Sequence, residues 1–304
     1  MLAAKKKSTK IIESRGDRAL SAFTTAFLVL ILIIVGYPVI YVVSCAFSSS
    51  EALSMGRVVL WPVEPTLAGF EFVFKYERVW TGYRNTLFYT VFGVMATVGI
   101  EILCAYPLSR PNYQGRGILT KLFFIPTMLS AGLIPQFIIK AQLLGMKNTI
   151  WAVLLAGILA FSQVVILRTA MKAVPSDLYD AAAIDGASEF QILMQICLPL
   201  VKATTMVMIL YSAIGCWNDY FNAMIYLDSP ELFPLQLFLR TILTAAQQFM
   251  LDETMDPEMI DTIEKGVGQI QYALIVVSTV PVLVFYYAVQ GSFKKGIMIG
   301  SVKG

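Results

Sequence analysis

Histidine is absent from this 304-residue chain. With it go the commonest general base and the commonest metal ligand, so zinc-type hydrolysis and Ser-His-Asp chemistry lose their usual residues. Charge is scarce as well: Asp, Glu, Lys and Arg make up 14% of the chain, where soluble domains carry about 25%. The four cysteines, Cys45, Cys104, Cys197 and Cys216, form neither a CxxC pair nor a metal-ligand spacing. They read as small apolar residues in or beside apolar runs. No GxxxxGK[ST] stretch occurs, which closes the usual P-loop route to nucleotide hydrolysis. These absences leave no enzyme to argue for, and no cofactor or metal site is expected in the chain. What is plentiful is apolar: 57% of the residues are hydrophobic, the mean hydropathy is +0.70, and the composition is that of an integral membrane protein.

The apolar residues fall into six runs of span length, roughly residues 22–47, 85–108, 121–143, 149–168, 201–221 and 268–291. Each can cross a hydrocarbon core of ~30 Å as a helix. The expected architecture is therefore an all-α membrane protein with a basic N-terminus over 1–21, a membrane domain over 22–291 and a tail over 292–304. A basic start before an apolar run resembles a signal peptide, but the first run exceeds the ~7–15 residues of a signal core and lacks a small-residue cleavage site. It reads as a retained span. With the N-terminus in the cytoplasm, fifteen of the 23 Lys and Arg fall inside and eight outside, as the positive-inside rule requires. Both termini and the segment 175–199 then face the cytoplasm.

That segment is the most informative in the chain. Asp177 is a candidate cap for a first helix through Leu178, Ala181 and Ala182, and the small side chains of the last two permit close approach. Asp185-Gly186 stops it, since glycine enters the left-handed region without a Cβ clash. Ser188 and Gln191 match a capping box for a second helix. Its expected apolar stripe is Phe190, Leu193, Met194, Cys197 and Leu198, and Pro199 marks the next break.

Asp180-Ala181-Ala182-Ala183-Ile184-Asp185-Gly186-Ala187, followed by Ile196-Cys197-Leu198-Pro199, resembles the EAA loop of ATP-binding-cassette importer permeases, with Asp180 where the family usually has Glu. Trp217-Asn218-Asp219-Tyr220-Phe221 and the ending Gly296 to Gly304 resemble the carbohydrate-uptake, maltose-type branch. The resemblance runs from the first span to the last residue. It implies a six-span type I importer permease whose elbow is a coupling helix, docked through Asp180, Ala181, Ala182, Asp185, Gly186 and Ala187 in a groove of a cytoplasmic ATPase. It implies that the tail residues Gly300, Ser301, Val302, Lys303 and Gly304 enter the ATPase interface. The implied assembly is this chain with a homologous second permease, two ATPase subunits that bind the ATP and magnesium, and an extracytoplasmic sugar-binding protein, in the cell membrane of a prokaryote. No nucleic-acid partner is expected.

The long outer connection over 222–267 is acidic, and the stretch from Leu235 to Met250 is expected to be a helix within it. The resemblance makes the loop before the last span a contact for the binding protein; a solvated acidic face is the plainer reading. Candidate residues of the substrate path are Glu101, the one carboxylate well inside a span, and Tyr211, Trp217, Asn218, Asp219 and Asn222 near the outer end of the fifth. Aromatic faces suit sugar C–H groups, while amides and carboxylates bond hydroxyls. Structural roles stand beside each of these: an interhelical hydrogen bond for Glu101, an interfacial aromatic for Trp217. Other classes remain open: a secondary transporter or channel coupled through Glu101, an importer of a non-sugar solute, or a membrane scaffold.

Overall fold

The computed structural model describes residues 14–129, 132–250 and 257–300. Among them every regular element is helical. The chain enters α1 (Arg15–Ala46) through a capping box: Ser14 Oγ accepts the Asp17 N–H at 3.1 Å and the Asp17 carboxylate accepts the Ser14 N–H at 3.0 Å. Short helices α2 (Ser50–Ser54) and α3 (Ala68–Lys75) lead into α4 (Glu77–Ser109), the central helix. Next come α5 (Arg116–Met128), α6 (Leu133–Phe137), which runs on as a π-turn over Ile138–Leu143, α7 (Ile150–Leu154) and α8 (Phe161–Lys172). The elbow consists of α9 (Ser176–Ile184), α10 (Glu189–Gln191), a π-turn over Ile192–Cys197, and α11 (Leu198–Leu200). The chain closes with α12 (Lys202–Trp217), α13 (Phe221–Tyr226), α14 (Leu235–Met250) and α15 (Pro257–Gly300).

Three helical segments among the described residues are long and apolar enough to cross a membrane: Arg15–Ala46, Glu77–Ser109 and Gly266–Ala288. A fourth candidate is bent, Glu189–Leu200 joining Lys202–Trp217 at 87°. The runs expected as a third and a fourth span are interrupted helices. Around Pro135 the third has a short α-helix and a π-turn; the fourth is irregular between Leu154 and Phe161. Hydropathy cannot register such breaks, because a broken and an unbroken helix have the same composition. The helix that carries the sixth apolar run, α15, opens earlier at Pro257, while its apolar segment, Gly266–Ala288, lies close to the expected 268–291, and the expected helix from Leu235 to Met250 has those bounds as α14.

Helix α4 packs on α8, α12 and α14, and α12 and α14 pack on α15. The crossings are close. A Cβ on Gly93 would stand 3.0 Å from Cys216 Sγ, and one on Gly82 would stand 3.1 Å from Leu235 Cα. The polar residues of α4's first half hold the connection before α14: Asn85 donates to the carbonyls of Glu231 (2.6 Å) and Phe233 (3.1 Å), Tyr89 donates to Leu232 O (2.9 Å), and Thr86 Oγ1 accepts the Leu235 N–H (2.8 Å). Such bonds satisfy backbone groups that no helix supplies. The loop after α1 is tied to α15 in the same way, with Gln269 donating to Ser48 O at 3.0 Å and accepting from Ser50 at 2.8 Å.

Candidate functional site: the elbow and the far end of the bundle

The elbow begins at Ser176, and its N-cap is Pro175 without a side-chain bond. Asp177 therefore does not cap α9; it lies in the first turn, where its charge complements the helix dipole. The end of α9 is a complete Schellman motif. The Ala187 N–H reaches Ala182 O at 3.0 Å, the Gly186 N–H reaches Ala183 O at 3.1 Å, and Gly186 has φ +81°. The capping box of α10 is present, with the Ser188 N–H on Gln191 Oε1 at 2.8 Å and the Gln191 N–H on Ser188 Oγ at 3.3 Å.

The expected apolar stripe is only half right. Leu193 and Cys197 are buried and Ile192 joins them, while Phe190 (65% exposed) and Met194 (49%) face outward. A π-turn takes more residues per turn than an α-helix, so the buried face drifts along the chain and a 3.6-residue period no longer tracks it. That turn ends one residue before Leu198-Pro199, where proline removes a backbone donor.

The buried face of the elbow is fused to the bundle. Tyr179 and Ala182 of α9 and Ile192, Leu193 and Cys197 of the second arm form one cluster with Ala105 and Leu108 of α4, Val164, Leu167 and Met171 of α8, and Met208 of α12. Each large aliphatic side chain buried there contributes about 1.5–3 kcal/mol. A polar strut runs alongside. Tyr106 donates to Glu189 at 2.5 Å, Arg110 lies 4.0 Å from the same carboxylate, and its guanidinium sits 4.0 Å from the centre of the Tyr179 ring. The Tyr179 hydroxyl donates to Met171 O at 3.3 Å, and burial pushes its pKa well up, so it stays a neutral donor. Tyr106, Arg110, Tyr179 and Glu189 are four residues that sequence reasoning missed. Arg110 and Glu189 are 79 positions apart, and nothing in either stretch announces the other.

Of the expected docking residues, Asp180, Ala181, Asp185 and Gly186 are exposed and Ala187 is half-buried. Ala182 is a correction: it packs inward, in the cluster with Tyr179, because it falls three residues after Tyr179 on the same helix face. The outward face of α9 carries instead Ile184, 85% exposed, and Leu178. The tail expectation falls partly outside the described residues: Ser301, Val302, Lys303 and Gly304 lie beyond them, and Gly300 ends α15 as helix rather than extended chain.

At the other end of the bundle the candidates do not form one surface. Trp217 is a correction. It is 2% exposed, its indole N–H donates to Ser278 O at 3.0 Å, and its ring meets Tyr83 and Phe285 edge-on. A ring so enclosed offers no face to a sugar. Asp219 accepts the Asn222 backbone N–H at 3.1 Å and its side-chain amide at 2.9 and 3.0 Å, which starts α13. Asn218 donates to Ile214 O and accepts from Gln236, and Tyr211 is exposed. Near Asp219 the fold gathers two cations the sequence did not single out: Arg240, whose guanidinium stands 4.9 Å from the Tyr220 ring centre, and Lys140, within electrostatic reach of Asp219.

Glu101 is fully buried where α4 meets the start of α8. Its Oε1 accepts the Ala160 N–H at 3.4 Å, at the interruption in the fourth apolar run, and its Oε2 has no partner among the described residues. The carboxyl thus replaces a bond that the break in the helix costs the backbone.

Residues 78–298 match the family described as binding-protein-dependent transport system inner membrane component. Two relatives from Bacillus subtilis (strain 168) are each 30% identical. Protein LplC aligns over 88% of this chain and 89% of its own. The polygalacturonan/rhamnogalacturonan transport system permease protein YtcP aligns over 95% and 99%. A solved bacterial ABC transporter chain, involved in the import of the acidic polysaccharide alginate, superposes with a TM-score of 0.80 at 30% identity, covering 93% of this chain and all of that one. With a family match across most of its length, this chain belongs to the inner membrane components of binding-protein-dependent transport systems, and is a transport subunit rather than an enzyme.

Proposed function

We propose that this chain is a permease subunit of an ATP-driven importer of oligosaccharides. It works with a second homologous permease, two ATPase subunits carrying the ATP and magnesium, and an extracytoplasmic binding protein. The broken third and fourth runs each count as a span, as does α12 beyond the 87° bend, giving six with both termini and the elbow in the cytoplasm. The coupling helix is α9, presenting Asp180, Ala181, Ile184, Asp185, Gly186 and Ala187 to the ATPase, with the tail Gly300 to Gly304 as a second contact. The single observation that carries this reading is the fusion of the elbow to α4, α8 and α12 through one buried cluster. A force on the exposed face of α9 cannot be absorbed locally and must move those helices, the rigid-body rocking that alternating access needs.

The cargo is proposed to be acidic. Arg240 stands over the Tyr220 ring, and Lys140 stands over the Tyr226 ring, donates to Ala156 O at 3.1 Å and is within electrostatic reach of Asp219; cations beside aromatic rings suit a uronate carboxylate and its ring face. The import of polygalacturonan by one relative and of alginate by a solved neighbour supports the same class. The test is purification through an N-terminal tag in mild detergent, then reconstitution with what co-purifies. A nucleotide-binding subunit and a second permease are expected at matching amounts, with ATPase activity stimulated by binding protein loaded with oligouronate more than with neutral oligosaccharide. This chain recovered alone would overturn the assembly; equal stimulation would overturn the acidic cargo only.

Glu101 separates this reading from an ion-coupled transporter. Glu101→Gln keeps an acceptor for the Ala160 N–H and is expected to cost about 1 kcal/mol or less of stability, with ATP-driven uptake intact. Uptake abolished in a fully assembled Glu101→Gln complex would favour coupling through the carboxyl.

A further inference from the structure

The break in the fourth apolar run lies between two packing clusters. Helix α7 belongs to the far end of the bundle, where Val153 and Leu154 pack with Tyr89, Ala223 and Leu227, and Ala152 packs with Ala141 and Tyr226. Helix α8 belongs to the elbow, through Phe161, Val164, Leu167 and Met171. Residues 155–160 join the two. Gly157 lies in that joint, exposed and with nothing within 4 Å of where a Cβ would stand, so the backbone there has room to turn.

The joint is held by an exchange of hydrogen bonds. In a continuous α-helix the Ala160 N–H would donate to Ala156 O, four residues back. That bond is not made. Each half has a side chain of the fitting type instead. Lys140 Nζ donates to Ala156 O at 3.1 Å, and the Ala160 N–H donates to Glu101 Oε1 at 3.4 Å. The lysine comes from the π-turn after α6 and the glutamate from α4. One helix bond has thus been divided between a basic and an acidic residue on two other elements. The repair is incomplete, since Glu101 is fully buried and its Oε2 has no partner among the described residues. A half-satisfied carboxyl holds the break less firmly than a complete network would.

We propose that Lys140 and Glu101 are positioning residues for transport. By dividing the Ala156–Ala160 bond they keep the fourth run jointed, so that α8 follows the elbow while α7 stays with the far end. Removing either one leaves half of the bond unpaired, and the nearest remedy is the other half. The run then stiffens into one helix. This rests on the reading that the elbow drives the bundle.

The experiment uses the complete assembly with Lys140→Met, Glu101→Met and the double variant, which keep most of the volume and remove the hydrogen bonds. ATP-driven uptake is measured in reconstituted vesicles, and amide hydrogen exchange over residues 157–160 in nanodiscs without cargo. Each single variant is expected to slow uptake about tenfold, the scale of one hydrogen bond to a charged group, and to slow the exchange as the helix closes. The double variant should be no slower than either single one, because both residues act on the same bond. Losses that multiply to about a hundredfold would mean two independent roles, such as cargo binding by Lys140, and would overturn the joint. So would exchange that is unchanged or faster. Should Glu101→Met fail to assemble, exchange in Lys140→Met decides the matter alone. A wild-type assembly that does not couple ATP hydrolysis to uptake would overturn the importer reading, whereas multiplied losses beside a normally coupled wild type overturn the joint only.

Discussion

Gly186→Val is expected to assemble in the membrane and to lose most of the coupling between ATP hydrolysis and transport. The residue sits at φ +81° with nothing within 4 Å of where a Cβ would project, so the cost is conformational rather than a clash. A residue with a Cβ in the left-handed region costs about 1–2 kcal/mol, and a β-branched one sits at the unfavourable end. At 1.4 kcal/mol per factor of ten, that is about five- to thirtyfold fewer elbows in the seated geometry. The Schellman bonds from Gly186 and Ala187 would be the first to yield, and they set the angle between the two arms of the elbow. Gly186→Asn provides the internal control, because asparagine tolerates this region; its transport should stay near wild type. Transport-coupled ATPase activity in reconstituted vesicles is the measurement, and normal coupling in Gly186→Val would refute the elbow's role.

Trp217→Ala is expected to destabilise the subunit by about 3–5 kcal/mol, the usual cost of removing a buried tryptophan. The side chain fills the junction of α12 with α4 and α15, beside Tyr83 and Phe285, and its N–H satisfies Ser278 O. Truncation leaves both a cavity and an unpaired carbonyl. Trp217→Phe restores most of the volume and should recover all but about 1 kcal/mol, the net worth of the hydrogen bond. The readout is the melting temperature of the purified assembly, set against the cargo concentration for half-maximal ATPase stimulation. A structural role lowers the first in both variants and leaves the second unchanged in Trp217→Phe. A shift in cargo dependence without loss of stability would return Trp217 to the substrate path.

How much was readable in advance depends on the range of the interaction. The stop at Gly186, the capping box of Ser188 and Gln191, and α14 from Leu235 to Met250 are governed by residues within one or two turns, and the chain reports these directly. The stripe on the second elbow arm failed at Phe190 and Met194 because the π-turn changed the period on which the reading depended. The fourth apolar run hides its break because Glu101, some sixty positions away, supplies the hydrogen bond that makes the break tolerable. Trp217 looked like a sugar platform because an aromatic followed by Asn and Asp reads the same whether or not Ser278 waits across the bundle.

The sequence by itself determined that the chain lives in a membrane, is built of helices, has no histidine and no phosphate-binding GxxxxGK[ST] stretch, and carries an elbow between its fourth and fifth apolar runs. These follow from composition, periodicity and local capping, which are properties of short stretches. Only the tertiary structure decided which face of the elbow is free. It put Ala182 inside and Ile184 outside, and joined Tyr106, Arg110, Tyr179 and Glu189 into one strut. Those outcomes depend on pairs far apart in the chain. Burial and electrostatic contact are fixed by where helices cross, which no single stretch encodes.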